Sequence, residues 1–213
     1  MKLNLTMTTL LVAASLTAAE TKVNFDGGPG LPTGWQTGIT GKGQAKWEVV
    51  ADDSAPSKGK VLKQSGEATF AWAAKTDEKI KDGFVEVKFK AVSGKEDQAG
   101  GIVFRFQDGS NYYVVRGNAL EDNVVLYKTV AGKRSSLQVK GRMFGYGVDT
   151  KVPPGKWNSL RVECKGSLFT VFFNGKKLFE AEDATLPEAG AVGVFYRLAT
   201  ISGNASVKKA NSY

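Results

Sequence analysis

The chain has 213 residues, 42% hydrophobic and 23% charged, with a formal charge of +8. That profile is globular, and lysines scattered without a dense basic block exclude a nucleic-acid footprint while leaving a mild attraction to acidic polysaccharides or anionic envelope surfaces. The absence of histidine and the single cysteine, Cys164, exclude Ser-His-Asp and Cys-His catalysis, histidine-ligated zinc and any internal disulfide.

From the N-terminus, "MKLNLTMTTLLVAASLTAA" carries one basic residue (Lys2), an apolar run from Leu10 to Leu16, and small residues up to Ala19. This is the layout of a secretory signal peptide over residues 1–19, cut after Ala19, and it implies an exported protein, periplasmic or extracellular. The run is shorter than the ~20 residues of a spanning helix, and no transmembrane segment is expected in the mature chain. Residues 20–213 read as one β-sandwich domain. Short alternating runs follow one another: "KVNFD", "AKWEVV", "KVLKQSG", "TFAWA", "GFVEVKFKAV", "GGIVFRFQD", "YYVVRGNA", "NVVLYKTV", "SSLQVKG", "WNSLRVECKG", "LFTVFFNG", "KKLFEAE" and "GAVGVFYR". Turn residues separate them and no helical period appears, which predicts an all-β sandwich or barrel. Asn174-Gly175 supplies the positive-φ pair of a type I′ hairpin turn. "VPPGKW" at 152–157 is a connection, because neither Pro153 nor Pro154 can donate to a ladder. Cys164 alternates with Arg161 and Glu163 and reads as a small buried residue. Runs such as "LFTVFFNG" and "GGIVFRF" are apolar on both faces, which suits a sandwich with a partly covered, aromatic-lined concavity.

One stretch carries the functional question. "AGGIVFRFQDGSNYYVVRGNALEDNVVLYK", residues 99–128, sets Arg105 and Arg116 among aromatic residues. With "DGSN" as a four-residue loop and Gln107 opposite Tyr112, alternation puts Arg105, Tyr112, Arg116 and Asn118 on one face, continued by Val125 and Tyr127. Phe104, Phe106, Tyr113 and Val115 then belong to the core. A loop one residue longer would move Arg105 to the opposite side. Two guanidiniums, a carboxamide and two phenols suit a sugar, whose C–H face stacks on aromatics while planar polar groups take its hydroxyls. The alternative is a pair of solvent-facing arginines whose stems cover apolar surface.

These residues resemble a known family. "FVEVKFKAVSGKEDQAGGIVFRFQDGSNYYVVRGNALEDNVVLYKTVAGKR", "PPGKWNSLRVE" and "FTVFFNGKKLFEAEDAT" are similar to exported bacterial 3-keto-disaccharide hydrolase-like domains. These are distant relatives of family-sixteen glycoside hydrolases within the concanavalin A-like lectin/glucanase jelly rolls, the superfamily that also holds laminin G-like domains. The resemblance implies two stacked antiparallel sheets with a glycan or small sugar on the concave face or its rim. It assigns Arg105, Arg116, Asn118, Glu121 and Tyr127 to that surface, with Glu96 and Asp97 in a neighbouring rim loop. Phe195 and Arg197 stand where relatives often carry Trp and Lys. The closing segment "LATISGNASVKKANSY" departs from the acidic last strand of relatives, which bears on any calcium (Ca2+) site such residues supply.

For chemistry, a glycosidase needs two carboxyls ~5–5.5 Å apart for retention and wider for inversion. The family-sixteen Glu-x-Asp-x-Glu strand is missing; the nearest match, Glu180-Ala181-Glu182, reads as a solvated edge. Elimination beside a sugar keto group needs only a base and cationic stabilisation, and Glu121 or Tyr127 with Arg116 fits those roles. Three alternatives therefore stand: a glycan-binding jelly roll, a hydrolase or lyase acting on 3-keto-glycosides, and an envelope structural or interaction module.

Overall fold

In a computed structural model, residues 20–28, 30–95, 97–197 and 201–209 are described. The expected signal peptide and Glu96 lie outside them. The described residues form sixteen strands in two antiparallel sheets. The first sheet runs β14 (Lys176–Glu182), β13 (Leu168–Phe173), β12 (Trp157–Lys165), β6 (Gly83–Ala91), β16 (Ile201–Lys209), β4 (Lys60–Gln64), β3 (Trp47–Ala51), and β1 (Glu20–Val23) also pairs with β16. The second runs β10 (Lys133–Ser136), β9 (Asn123–Val130), β8 (Asn111–Asn118), β7 (Ala99–Asp108), β15 (Gly190–Arg197), β5 (Ala71–Ile80), β2 (Trp35–Ile39), with β11 (Val148–Asp149) on β9. This is the expected jelly-roll sandwich of concanavalin A-like type.

Alternation explains the packing between the sheets. On β12, Leu160, Val162 and Cys164 point inward; β13 adds Phe169, Val171 and Phe173, and β6 adds Val85, Val87 and Phe89. Facing them are Ile102 and Phe104 of β7, Tyr113 and Val115 of β8, Val124 and Leu126 of β9, and Val192, Val194 and Tyr196 of β15. Each such side chain, once buried, contributes ~1.5–3 kcal/mol. Burial pushes the Cys164 thiol up to about 12, so it is an inert core group. The hairpin turn at Asn174-Gly175 has φ of 48° and 77°, the type I′ pattern. The diverged closing segment still pairs: β16 runs along β6 from Ile201↔Ala91 to Lys209↔Gly83.

The stretch 99–128 departs from its expected register. The β7–β8 ladder ends at Asp108↔Asn111 around a tight Gly109-Ser110 turn, but slips between Phe104 and Asp108. Arg116 therefore faces Gly101, and Val103 faces Val114. The irregularity is a bulge with Arg105 at φ 45°, a left-handed conformation unusual for a side-chain-bearing residue. Gly190 packs against it so closely that a Cβ there would stand 2.3 Å from the Arg105 carbonyl carbon. The bulge exchanges two side chains. Phe106 goes to the outer face instead of the core, and Arg105 leaves that face for the sandwich interior.

Candidate functional site

Behind β7, β8, β9 and β15 the second sheet has a buried outer face. One half is apolar: Ala74, Val103, Phe106, Tyr112, Val114 and Ala191 pack there with Trp72. The other half is charged. It is built from Arg116 on β8, Asn123 and Tyr127 on β9, Arg134 on β10, Phe195 and Arg197 on β15, and Asp97 from the segment entering β7.

Two loops complete it. After β8, Asn118 turns back on the chain: its Oδ1 accepts from the Leu120 and Gln98 amides at 3.0 and 3.3 Å. Asp122, left-handed at φ 49°, accepts from the Val152 amide at 3.0 Å and from Lys151 Nζ at 2.6 Å. The Asx turn from Asn118 to Leu120 fixes a tight loop, Asp122 ties it to the distant Lys151 and Val152, and together they hold Glu121 over Arg116. The loop from β10 to β11 returns at Gly147, where a Cβ would stand 2.4 Å from the Val124 carbonyl oxygen. That close approach delivers Tyr146.

Arg116, 1% exposed, is the hub. Its Nη2 donates to Glu121 Oε2 at 2.9 Å and to the Tyr146 hydroxyl at 3.0 Å, and its Nη1 donates to Asn123 Oδ1 at 3.5 Å. Asn123 Nδ2 donates to the same Glu121 oxygen at 3.0 Å, and the Tyr127 and Tyr146 hydroxyls bond each other. Arg134 lies 3.6 Å over the Tyr127 ring, 4.5 Å over Phe70 and 4.9 Å over Phe195, a cation–π clamp. Arg197 Nη1 pairs with Asp97 Oδ2 at 2.9 Å.

The electrostatics follow from this packing. Burial alone would lower the Arg116 proton affinity, but the Tyr127, Glu121, Tyr146 and Asp97 oxygens raise it, and the cation is secure. Burial pulls Arg134 down to about 10, with the Arg116 charge helping and Tyr127 opposing. Partial burial pushes the Glu121 carboxyl up, yet Arg116 and Asn123 hold it below the usual carboxylate range. Burial pushes the Asp97 carboxyl up against the pull of Arg116 and Arg197. Asp97 Oδ1 and Arg116 Nε have no hydrogen-bond partner among the described residues.

Of the expected site residues, Arg116, Asn118, Glu121, Tyr127, Phe195, Arg197 and Asp97 come together. Asn118 serves the loop backbone, and Phe195 and Tyr127 form the floor. Asp97 is a buried partner of Arg197 and not a rim residue. Tyr112 shares the face but closes its apolar half, its hydroxyl donating to Thr40 Oγ1 at 2.9 Å. Arg105 is the correction. It is 1% exposed, and its guanidinium donates to the Lys81, Leu186 and Gly166 carbonyls at 2.6 to 3.3 Å while lying 5.1 Å over Phe169. The bulge makes it a structural strut.

Arg134, Tyr146 and Phe70 join the site without having been expected. Arg134 follows β9 by a two-residue hairpin and continues its face, a signal present in "TVAGKRSS". Tyr146 lies in a loop whose path no periodicity reports.

Glu121, Tyr146 and Arg197 are within reach of solvent, Tyr146 50% exposed and the Glu121 and Arg197 side chains 42% and 33%, with Arg134 and Phe70 half-buried beside them. They offer an acceptor, a ring with a hydroxyl, and a forked donor. Among the described residues, no three Asp, Glu or Cys side chains gather as a metal site, and no helix is long and apolar enough to cross a membrane.

The family model for 3-keto-alpha-glucoside-1,2-lyase-like domains matches residues 20–201. No curated protein matches the chain. Among solved structures, the carbohydrate-binding module CBM66 from Bacillus subtilis superposes with a TM-score of 0.64 at 20% identity, covering 84% of this chain and 96% of that one. Bacillus licheniformis beta-glucanase superposes with 0.52 at 11% identity, covering 85% and 95%. Domain 4 of AbnA, a GH43 extracellular arabinanase from Geobacillus stearothermophilus seen in complex with arabinotriose, gives 0.52 at 13% identity, covering 84% of each. At these identities the likeness is one of fold.

Proposed function

The chain belongs to the 3-keto-alpha-glucoside-1,2-lyase-like domain family, and from that premise we propose that it is an exported carbohydrate-recognising domain holding a sugar ring on the outer face of its second sheet. The observation that carries this is the pairing of reachable and buried groups. Glu121, Tyr146 and Arg197 stand at the surface, and each is fixed by a buried partner: Arg116 holds the first two and Asp97 the third. Polar groups held this way lose little freedom on binding. The Tyr146 ring offers a stacking surface for the C–H side of a pyranose, and Glu121 and Arg197 take its hydroxyls. The domain of this fold bound to arabinotriose supports the same use.

A glycan array on the chain from Glu20 onward tests this. Tyr146→Ala and Arg197→Ala are each expected to weaken the best hit about tenfold, the loss of one good contact. Undiminished binding in both variants would place the sugar elsewhere. A chelator arm covers the calcium suggested by the family resemblance; with no acidic trio among the described residues, binding is expected to survive it. Export is tested by mass analysis of secreted protein, expected to start at Glu20.

The family match also favours a second reading, a lyase or hydrolase acting on a 3-keto-glycoside. Glu121, ionised beside Arg116, can take the proton on the carbon between the keto group and the anomeric centre. The electron pair then expels the glycosidic oxygen, which takes a proton as the monosaccharide leaves, and the sugar remains as a 3-keto-glucal. Arg197 stabilises the charge on the keto oxygen, while buried Arg116 keeps Glu121 in place. Incubation with a 3-keto-disaccharide should release a monosaccharide and a glucal. Glu121→Gln should lower that rate about 100-fold or more; an unchanged rate removes Glu121 from the chemistry.

A further inference from the structure

The outer face of the first sheet holds a second constellation that shares no residue with the one above. Cross-strand pairing sets Arg161 of β12 between Glu86 of β6 and Phe172 of β13, with Glu163 opposite Phe84. The Arg161 guanidinium lies 3.7 Å over the Phe84 ring and 5.8 Å from that of Phe172. Its Nη2 donates to Glu163 Oε1 at 2.5 Å, and its Nη1 stands 3.9 Å from Glu86 Oε2. Arg161 Nε is buried with no hydrogen-bond partner among the described residues. Over this group opens a groove of about 270 Å³, lined by Glu86, Ser159, Arg161, Glu163, Phe172 and Gly175. At the Gly175 end a Cβ would meet nothing within 4 Å, so the mouth is open.

A solvated strand face needs none of this. Its charges pair loosely and contribute little, whereas here rings and carboxylates fix a guanidinium flat in the floor of a groove. We propose that this groove is a second ligand site, taking a single pyranose ring that carries an ammonium group, an amino sugar. The size sets the first limit: small-ligand pockets run ~300–1,000 Å³, so a groove just below that range takes one ring and not a chain. The lining sets the class. Phe172 supplies an apolar wall for a ring's C–H face, and the Ser159 hydroxyl and two carboxylates meet its hydroxyls. Two carboxylates stand against one guanidinium among the lining residues, and the lysines on the same face lie outside the lining, Lys88 exposed across from Ser159 and Lys177 paired with Glu180. An ammonium therefore balances the floor of the groove by charge-assisted hydrogen bonds and is favoured over a sugar carboxylate. The second sheet's outer face is the reverse, with Arg116, Arg134 and Arg197 against Asp97 and Glu121.

Residue-resolved amide NMR on the chain from Glu20 onward, titrated with glucosamine, glucose and glucuronate, tests the assignment. Glucosamine is expected to move the amides of Ser159 to Glu163 and Phe172 to Gly175, glucose to move them less, and glucuronate to leave them still. Glu163→Gln, a change at a side chain 42% exposed, keeps the fold and should weaken the glucosamine response about tenfold, the worth of one charge-assisted hydrogen bond. Still amides with glucosamine, an equal response to glucuronate, or the same response from methylammonium alone (an adventitious cation only) would each overturn the proposal. The amides of Arg116 and Phe195 report the other face in the same spectra, so either site can fail without the other.

Discussion

The two sheets share one core but treat their other faces in opposite ways. In the first sheet, β12 and β13 alternate strictly between buried and half-buried residues, and Trp157, Ser159, Arg161 and Glu163 meet solvent on one side. In the second, β7, β8, β9 and β15 are buried almost throughout, because loops close over the outer face as the sandwich closes over the inner one. A one-sided sheet keeps most of its charges in water, where a pair is worth little; the Arg161 group, held between Phe84 and Glu163 with its side chain 32% exposed, is the exception on this face. A two-sided sheet must satisfy every polar group it buries. The second sheet holds the larger cluster of buried charged atoms without hydrogen-bond partners, at Asp97, Arg116, Arg134 and Arg197, against the single Arg161 Nε of the first, among the described residues.

The two arginines of β7 and β8 offer the sharpest way to break that contrast. Arg105→Ala leaves the Lys81, Leu186 and Gly166 carbonyls without their donor inside the sandwich, and an expected loss of about 3–5 kcal/mol follows. Denaturant unfolding measures it, and sugar binding should persist wherever the variant is folded. Arg116→Ala should cost less, about 1–3 kcal/mol, because Glu121 and Tyr146 can turn to water. It should nevertheless abolish binding on the outer face. If both variants lose stability and binding alike, the division into strut and site is wrong.

Two carboxylates, one half-buried and one buried, divide in the same way. Asp183 lies beside the core, accepting from the Tyr113 hydroxyl and from Lys128 Nζ, each at 2.6 Å. Burial pushes it up, but Lys128, Thr185 and Tyr113 outweigh that and hold it at about 2, against 3.8 for the free group. A depressed carboxyl stabilises the fold above its unfolded value and loses that stabilisation as pH falls toward the folded one. Some 2 kcal/mol should therefore disappear between about pH 4 and pH 2, and Asp183→Asn should remove that acid limb from a stability–pH profile.

Asp97 has the opposite sign. Its raised folded value means the native state holds the proton more tightly than the unfolded chain, so ionisation costs stability as pH rises through that value. Asp97→Asn should leave the thermal midpoint unchanged or slightly higher, and weaken sugar binding by freeing Arg197. A large stability loss in that variant would make Asp97 a strut like Arg105.

Much of the fold was legible in the chain. The alternation in "WNSLRVECKG", the Asn174-Gly175 turn and the two-sided apolar runs are local facts, and the strands formed where they pointed. Arg116, Asn118 and Tyr127 were legible for the same reason, since β8 and β9 pair in unbroken register from Tyr112↔Thr129 to Asn118↔Asn123. Phe195 and Arg197 came from the family resemblance, and β15 keeps them on the same side. Ala71–Ile80 ran longer than "TFAWA" predicted, because pairing with β15 and β2 extends a polar segment that has little signal of its own.

By itself, then, the sequence determined most of the strands, though not β2, β11, β16 or the loop that holds most of "SSLQVKG". It determined an all-β sandwich or barrel, with the two stacked sheets coming from the family resemblance, and which alternate residues share a face wherever the ladder is regular. Only the tertiary structure decided where the ladder breaks. The bulge after Phe104 depends on Gly190 of a distant strand and on carbonyls of three other segments, and one slip there sends Arg105 inward and Phe106 outward. It also decided that Tyr146 completes the charged cluster, since a loop's path is set by what it packs on and carries no period. Side-chain direction along a strand is a local count, but the places where that count changes are set by contacts between residues far apart in the chain.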